Sequence, residues 1–210
     1  MRSKRHPEAP IRSLLLSIAL LGGIASLAQG QSAQQFFEAG QNDQAMVALT
    51  QQREAGEVGP TQAYLAGQIL LKANQDAGAR GEFDSLVALA DTPWTLIGES
   101  AIAALDGDNA RAIAAATQAS EMAPDLFEAQ YQLGLVKARG GDWAGSAAAL
   151  DRAAQINPSF AYAHYNAGQA YSKIERIDLT AEHFERFLRL APAAPERAGV
   201  ESLMRTLRGR

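Results

Sequence analysis

The 210-residue chain is 47% hydrophobic and 20% charged, a globular balance that excludes wholesale disorder. It has no cysteine, which excludes a disulfide framework, a thiolate nucleophile and a cysteine zinc site. Aromatic residues are sparse at 7% and alanine is abundant, which favours closely packed helices over a β-sandwich.

At the N-terminus, Arg2, Lys4, Arg5 and Arg12 precede an apolar stretch from Leu14 to Ile24, followed by small residues at Ser26 and Ala28. A basic segment, a short apolar core and small residues form the layout of a secretory signal. The core is shorter than the roughly 20 residues a membrane span needs. Residues 1–28 are therefore expected to be a leader, cleaved after Ala28 or alternatively after Gly30, and the mature chain is expected to be periplasmic or secreted. An uncleaved anchor is the competing reading. The leader holds four of the 19 basic and one of the 23 acidic residues, leaving 15 against 22 and a net charge of −7 with neutral histidines. Such acidity disfavours nucleic acid as a partner, because binding it rests on lysine and arginine neutralising phosphates.

Beyond the leader, the chain repeats itself. Pro124, Pro158 and Pro192 stand 34 residues apart, each followed by a fresh helical pattern. Small residues recur in the same rhythm: Ala33, Gly67, Ser100, Gly134 and Gly168, at steps of 34, 33, 34 and 34. A second set, Ala45, Ala79, Ala112, Ser146 and Thr180, keeps the same steps. Glycine inside a lone helix costs about 1 kcal/mol against alanine, so Gly134 is explained only by two helices that must approach closely. The expected organisation is five helix pairs at about 32–59, 60–92, 93–126, 127–160 and 161–194. After them, Val200, Leu203, Met204 and Leu207 mark a helix over 195–210 that covers the last apolar face.

The period and its residues resemble the tetratricopeptide repeat family. They include Leu133-Gly134, Ala167-Gly168 and Tyr171 in first helices, then Phe83, Leu150 and Phe184 in second helices, with Ala153 and Phe187 one turn on. In the 60–92 unit, Asp91 stands where the pattern has proline, and the first unit keeps least of it. The resemblance implies an all-α, right-handed superhelical solenoid of antiparallel helix pairs, with a concave face lined by the first helix of each pair. It also implies that this face receives a peptide or a partner helix. Carried onto the two best-matching units, the partner-binding positions are Glu128, Tyr131, Gln132, Leu135 and Arg139, then Tyr162, Tyr165, Asn166, Gln169 and Lys173. Tyr131 and Tyr165 have two readings, as groove contacts or as packing between adjacent repeats. Some family members clamp a C-terminal carboxylate with lysine and asparagine, and here only Asn166 falls suitably. The corresponding face of the 93–126 unit, with Trp94, Ile97, Ala101 and Ala104, is apolar.

Catalytic motifs are missing: there is no H-E-x-x-H, G-x-S-x-G or phosphate-binding glycine loop. His164 and His183, 19 residues apart, read as partly exposed surface groups. The expectation is a non-enzymatic exported adaptor or assembly factor without cofactor or metal, binding a segment of an envelope protein. A structural subunit of an envelope secretion, pilus or polysaccharide-export complex is the alternative.

Overall fold

The computed structural model of the chain describes residues 32–57 and 59–208. The expected leader over residues 1–28 lies outside the described residues. Every regular element among those described is a helix, in the order α1 (Ala33–Glu38), α2 (Asn42–Glu54), α3 (Pro60–Lys72), α4 (Asp76–Val87), α5 (Pro93–Leu105), α6 (Asn109–Met122), α7 (Phe127–Arg139), α8 (Trp143–Ile156), α9 (Ala161–Lys173), α10 (Ile177–Leu190) and α11 (Arg197–Arg208). None of these helices is long and apolar enough to cross a membrane.

Local chemistry starts and stops the helices where the repeat requires. Asp108 and Asp142 accept hydrogen bonds from the backbone N–H of Arg111 and Gly145, capping α6 and α8. Thr92 and Thr95 form a reciprocal capping box at α5, with Pro93 at the first helical position. Just before it, where the three later units carry proline, the chain turns through Ala90 and Asp91 with φ of 42° and 52°. Non-glycine residues rarely adopt this left-handed conformation.

Helices pair in sequence, and the small residues sit where the partners cross. A methyl group added to Gly134 would lie 2.4 Å from Leu150, one on Gly67 2.3 Å from Phe83, and one on Gly168 2.7 Å from Phe184. Each hairpin thus seats a large side chain of its second helix on a bare patch of its first. Where serine replaces glycine or alanine, its hydroxyl bonds across the crossing. Ser100 donates to the Ala112 carbonyl at 2.9 Å, and Ser146 donates to the Gly134 carbonyl at 2.8 Å. Phe83, Leu150, Phe184 and Phe187 are buried at 1% exposure or less, and burying each such side chain contributes about 1.5–3 kcal/mol. At the C-terminal end α11 lays Val200 and Met204 into the core, and Arg197 donates to the Leu188 carbonyl of α10 at 3.1 Å.

The solenoid is tightly wound, so its first helices meet one another on the inside. Tyr64 of α3 donates its hydroxyl proton to the Gln132 carboxamide oxygen at 3.0 Å, and Gln132 donates onward to Ser100 at 3.1 Å. At the far end of α3, Lys72 donates to the Tyr162 hydroxyl and to Glu196 at 2.8 Å, while Tyr162 donates to Glu196 at 3.0 Å. The Lys72 ammonium also stands 3.8 Å from the centre of the Tyr162 ring. Glu196 would be raised by burial, but the bonds and charge of Lys72 hold its carboxyl below the usual range.

Candidate functional site

The ten residues expected to face a partner divide into two groups. Glu128, Tyr131, Gln132 and Tyr162 are buried at 7%, 4%, 3% and 4% exposure. Their polar groups serve the chain itself. Burial raises the Glu128 carboxyl above its ordinary range, against a bond to Thr61 that lowers it. Gln132 links Tyr64 to Ser100. Tyr131 accepts a hydrogen bond from Asn166 at 2.9 Å and stacks on Phe127 with ring centres 5.4 Å apart. Desolvation drives the Tyr131 phenol well above its normal value. Of the two readings for Tyr131, the packed one describes this structure. In the 93–126 unit the apolar face is likewise occupied, with Ile97 and Ala101 in the core rather than lining an open groove.

The second group remains within reach of solvent. Arg139, Gln169 and Lys173 are exposed, and Leu135, Tyr165 and Asn166 are half-buried. Tyr165 packs one side of its ring on Phe184 and Phe187, with centres 6.2 and 5.0 Å away, and its hydroxyl accepts from Gln169 at 2.7 Å. Two clefts meet at this tyrosine. The larger, of about 640 Å³, runs between α9 and α11, with Trp143, Gln169 and Lys173 on one wall and Val200 and Leu203 on the other. The smaller, of about 340 Å³, includes Leu135, Asn166, Phe37 and Lys72. Both share Tyr165 and Glu196. Helix spacing explains the arrangement: Tyr165, Gln169 and Lys173 recur every fourth residue and so form one stripe along α9. Lys173 leans toward Trp143, its ammonium 5.6 Å from the ring centre. The cleft therefore offers an apolar floor, three amide or hydroxyl groups from Tyr165, Gln169 and Ser172, one cation and one carboxylate.

Eight residues lining this cleft were not among the sequence candidates, Trp143, Glu196 and Leu203 among them. Trp143 opens a second helix and Glu196 precedes α11, so a rule that takes only first helices passes over both.

The histidines require a correction. Instead of partly exposed, separate surface groups, they are buried at 8% and 6% exposure and touch through their Nδ1 atoms at 3.2 Å. The antiparallel pairing of α9 and α10 brings them together despite their separation in sequence. His164 Nε2 lies 3.3 Å from the Pro158 carbonyl, which places a proton there and leaves Nδ1 to accept from His183. His183 Nε2 faces Asp151 at 3.4 Å. Burial pulls His164 down to about 4 and lowers His183 as well, outweighing the carboxylate of Asp151. Among the described residues, no group of three or more histidine, aspartate or glutamate side chains is placed to hold a metal ion.

Comparison with known proteins agrees with this architecture. Residues 136–174, which join α7 through α9, match the TPR repeat family. No curated protein matches the chain in sequence. Among solved structures, a thermophilic TPR protein of Thermus thermophilus superposes with a TM-score of 0.57 at 19% identity, over 83% of this chain and 94% of that one. YrrB, described as a TPR protein with an unusual peptide-binding site, gives 0.51 at 18% identity, over 81% and 88%. The first TPR of Spaghetti, solved with an HSP90 peptide, gives 0.51 at 18% identity, over 57% and 93%. The fold of this chain is thus the all-helical solenoid that these tetratricopeptide repeat proteins share.

Proposed function

We propose that the protein is a non-enzymatic peptide-binding module whose contact surface is the paired cleft around Tyr165. One observation carries this reading: the α9 stripe of Tyr165, Gln169 and Lys173 is left open opposite the apolar face of α11, while Glu128, Tyr131, Gln132 and Tyr162 are buried by the chain itself. Tyrosine and tryptophan supply rigid contact area, and glutamine can pair with an extended backbone. The fold likeness to TPR proteins solved with a peptide or described by their peptide site supports the same reading. Lys173 on one wall and Glu196 on the other favour a segment with an apolar side chain flanked by charge.

The module acts outside the cytoplasm in this proposal, as an adaptor or assembly factor for an envelope protein. The support is the sequence of residues 1–28, and N-terminal sequencing should find the mature chain starting at or near Gln29. An intact Met1 on membrane-bound material would sink the export claim. For the cleft, peptides selected from a random library on the wild-type chain should bind a Gln169→Ala/Lys173→Ala variant at least tenfold more weakly. Circular dichroism should show unchanged helicity, since both side chains are exposed. Undiminished binding would place the contact surface elsewhere.

A further inference from the structure

The inner surface is not empty: α1 of the same chain sits in it. Phe37 of α1 is buried at 5% exposure, with its ring 5.1 Å from Tyr162 and 6.5 Å from Phe160. The next residue, Glu38, is buried too, and its carboxylate accepts the backbone N–H of Ala161 at 2.7 Å. Ala161 opens α9, so the carboxylate caps a helix whose own cap residue, Phe160, offers no side-chain acceptor. Gln34 Nε2 donates to Glu38 at 3.0 Å and reaches the Ser159 carbonyl at 3.4 Å. A ring in an aromatic pocket beside a carboxylate on the first N–H of a helix is how a groove can hold a bound segment. Here the segment belongs to the same chain, more than 120 residues upstream.

The tether is built loosely. Six residues make α1 far too short to be a stable helix alone. A short connection with Gly56 at φ of +85° and Gly59 separates the first pair from α3. Holding Glu38 there also carries a cost, since desolvation raises its carboxyl to about 6 in spite of the Ala161 and Gln34 bonds.

We infer that the pocket formed by Phe160, Tyr162 and the start of α9 is a second recognition site, specific for an aromatic residue followed by a carboxylate, and that α1 occupies it as an internal ligand. A partner segment with the same Phe-Glu chemistry binds by displacing α1 and takes its place against Phe160 and Tyr162. This inference rests on the reading that the concave side receives a peptide.

The test uses the full chain and a labelled synthetic peptide of residues 33–40, AQQFFEAG, followed by fluorescence anisotropy. A tethered segment competes at millimolar effective concentration, so the wild-type chain should bind the peptide weakly. The F37A chain, whose α1 no longer fills the pocket, should bind it at least tenfold more tightly. A peptide with alanine in place of its second phenylalanine should bind neither. If F37A loses helicity, E38A, which removes the acceptor of the Ala161 N–H, should gain threefold or more. A folded F37A or E38A chain that binds no better than wild type overturns the inference. So does a concentration-dependent wild-type dimer that F37A abolishes, because α1 would then pass between copies. If F37A gains peptide while the Gln169→Ala/Lys173→Ala variant keeps its selected peptides, the Tyr165 cleft fails and the α1 pocket stands. The reverse pattern removes the α1 pocket alone.

Discussion

The first and last helix pairs share one register but distribute their side chains differently. In α9 and α10 the bare patch at Gly168 receives Phe184 of the partner helix, and Phe187 packs one turn on. In α1 and α2 the corresponding small residues are Ala33 and Ala45, with Leu49 as the largest fully buried side chain of the pair. The Phe37 ring of α1 turns away from its own partner and into the pocket of the fifth pair. One repeat is stabilised internally, and the other is stabilised largely by what it reaches across to. The lesson is that register alone does not make repeats equivalent, since local stability follows from where the large side chain is seated.

Removing a ring from each pair tests the contrast with the largest expected effect. Phe184→Ala should lower the free energy of unfolding by about 3–5 kcal/mol, the usual cost of a buried phenylalanine, as read from urea denaturation. Phe37→Ala should shift that midpoint by less than half as much. It should instead abolish hydrogen-exchange protection over residues 33–54 while the later helices keep theirs. Equal losses spread evenly over the chain would show that the first pair is as integral as the last.

Protonation separates the same two regions, with opposite signs. His164 titrates at about 4 in the fold against an ordinary 6.5, so its contribution is fully present above pH 6.5 and is lost as pH falls toward 4. Linkage puts that loss at about 3 kcal/mol. A second proton would set two N–H groups of His164 and His183 against each other. Asp151, Glu182, Arg186 and Arg189 line the same recess, and Tyr171 stacks on His183. Glu38 runs the other way. Its folded value of about 6 lies above the ordinary 4.5, so its contribution is present below pH 4.5 and is lost as pH rises through 6. That amounts to about 2 kcal/mol. Acidification should therefore tighten the docking of α1 while loosening the α9–α10 pair. Residue-specific exchange at pH 7 and pH 5 checks both signs, and parallel changes in the two regions would refute the assignment.

The crossing itself is the next lever. Gly134→Leu must displace Leu150, which stands 2.4 Å from the first added carbon. Overpacking of this kind costs about 1–3 kcal/mol. The same substitution at exposed Gln155 should leave the urea midpoint nearly unchanged. Equal midpoints would mean that small size at the crossings is incidental.

These crossings were legible because their chemistry is local. Gly134 and Leu150 belong to one hairpin, and the demand for a missing side chain repeats every 34 residues. The stripe of Tyr165, Gln169 and Lys173 was legible for a similar reason, since one face of one helix follows from spacing. The closure of the inner face was not. Glu38 and Ala161 are 123 residues apart, and no property of either marks the other as its partner. Superhelical winding brings them together, and winding accumulates from small rotations at every crossing. The histidine pair eluded the sequence because no titratable pattern accompanies two lone histidines on separate helices. The Ala90–Asp91 turn was equally hidden, since the motif offered a missing proline and no positive indication of a left-handed backbone.

The smallest expected effect concerns how the first pair is held on its other side. Arg53 at the end of α2 forms a two-pronged bond with Glu82 of α4, at 3.0 and 2.6 Å. It spans the glycine-containing connection, so it is placed to restrain the same motion that would release α1. Arg53 is about one-third exposed at 35%, however, and water screens the attraction. Pairs of this kind contribute about 0.2–1 kcal/mol. Glu82→Gln should therefore barely move the global midpoint. If the pair acts as a restraint, the same change should raise the affinity of the full chain for the 33–40 peptide by no more than about fivefold, because 1 kcal/mol corresponds to that ratio. Added salt should narrow the difference between variant and wild type. A gain as large as that of F37A would mean that the ion pair, rather than Phe37, governs access to the α1 pocket. No gain at all would leave α1 held by Phe37 and Glu38 alone.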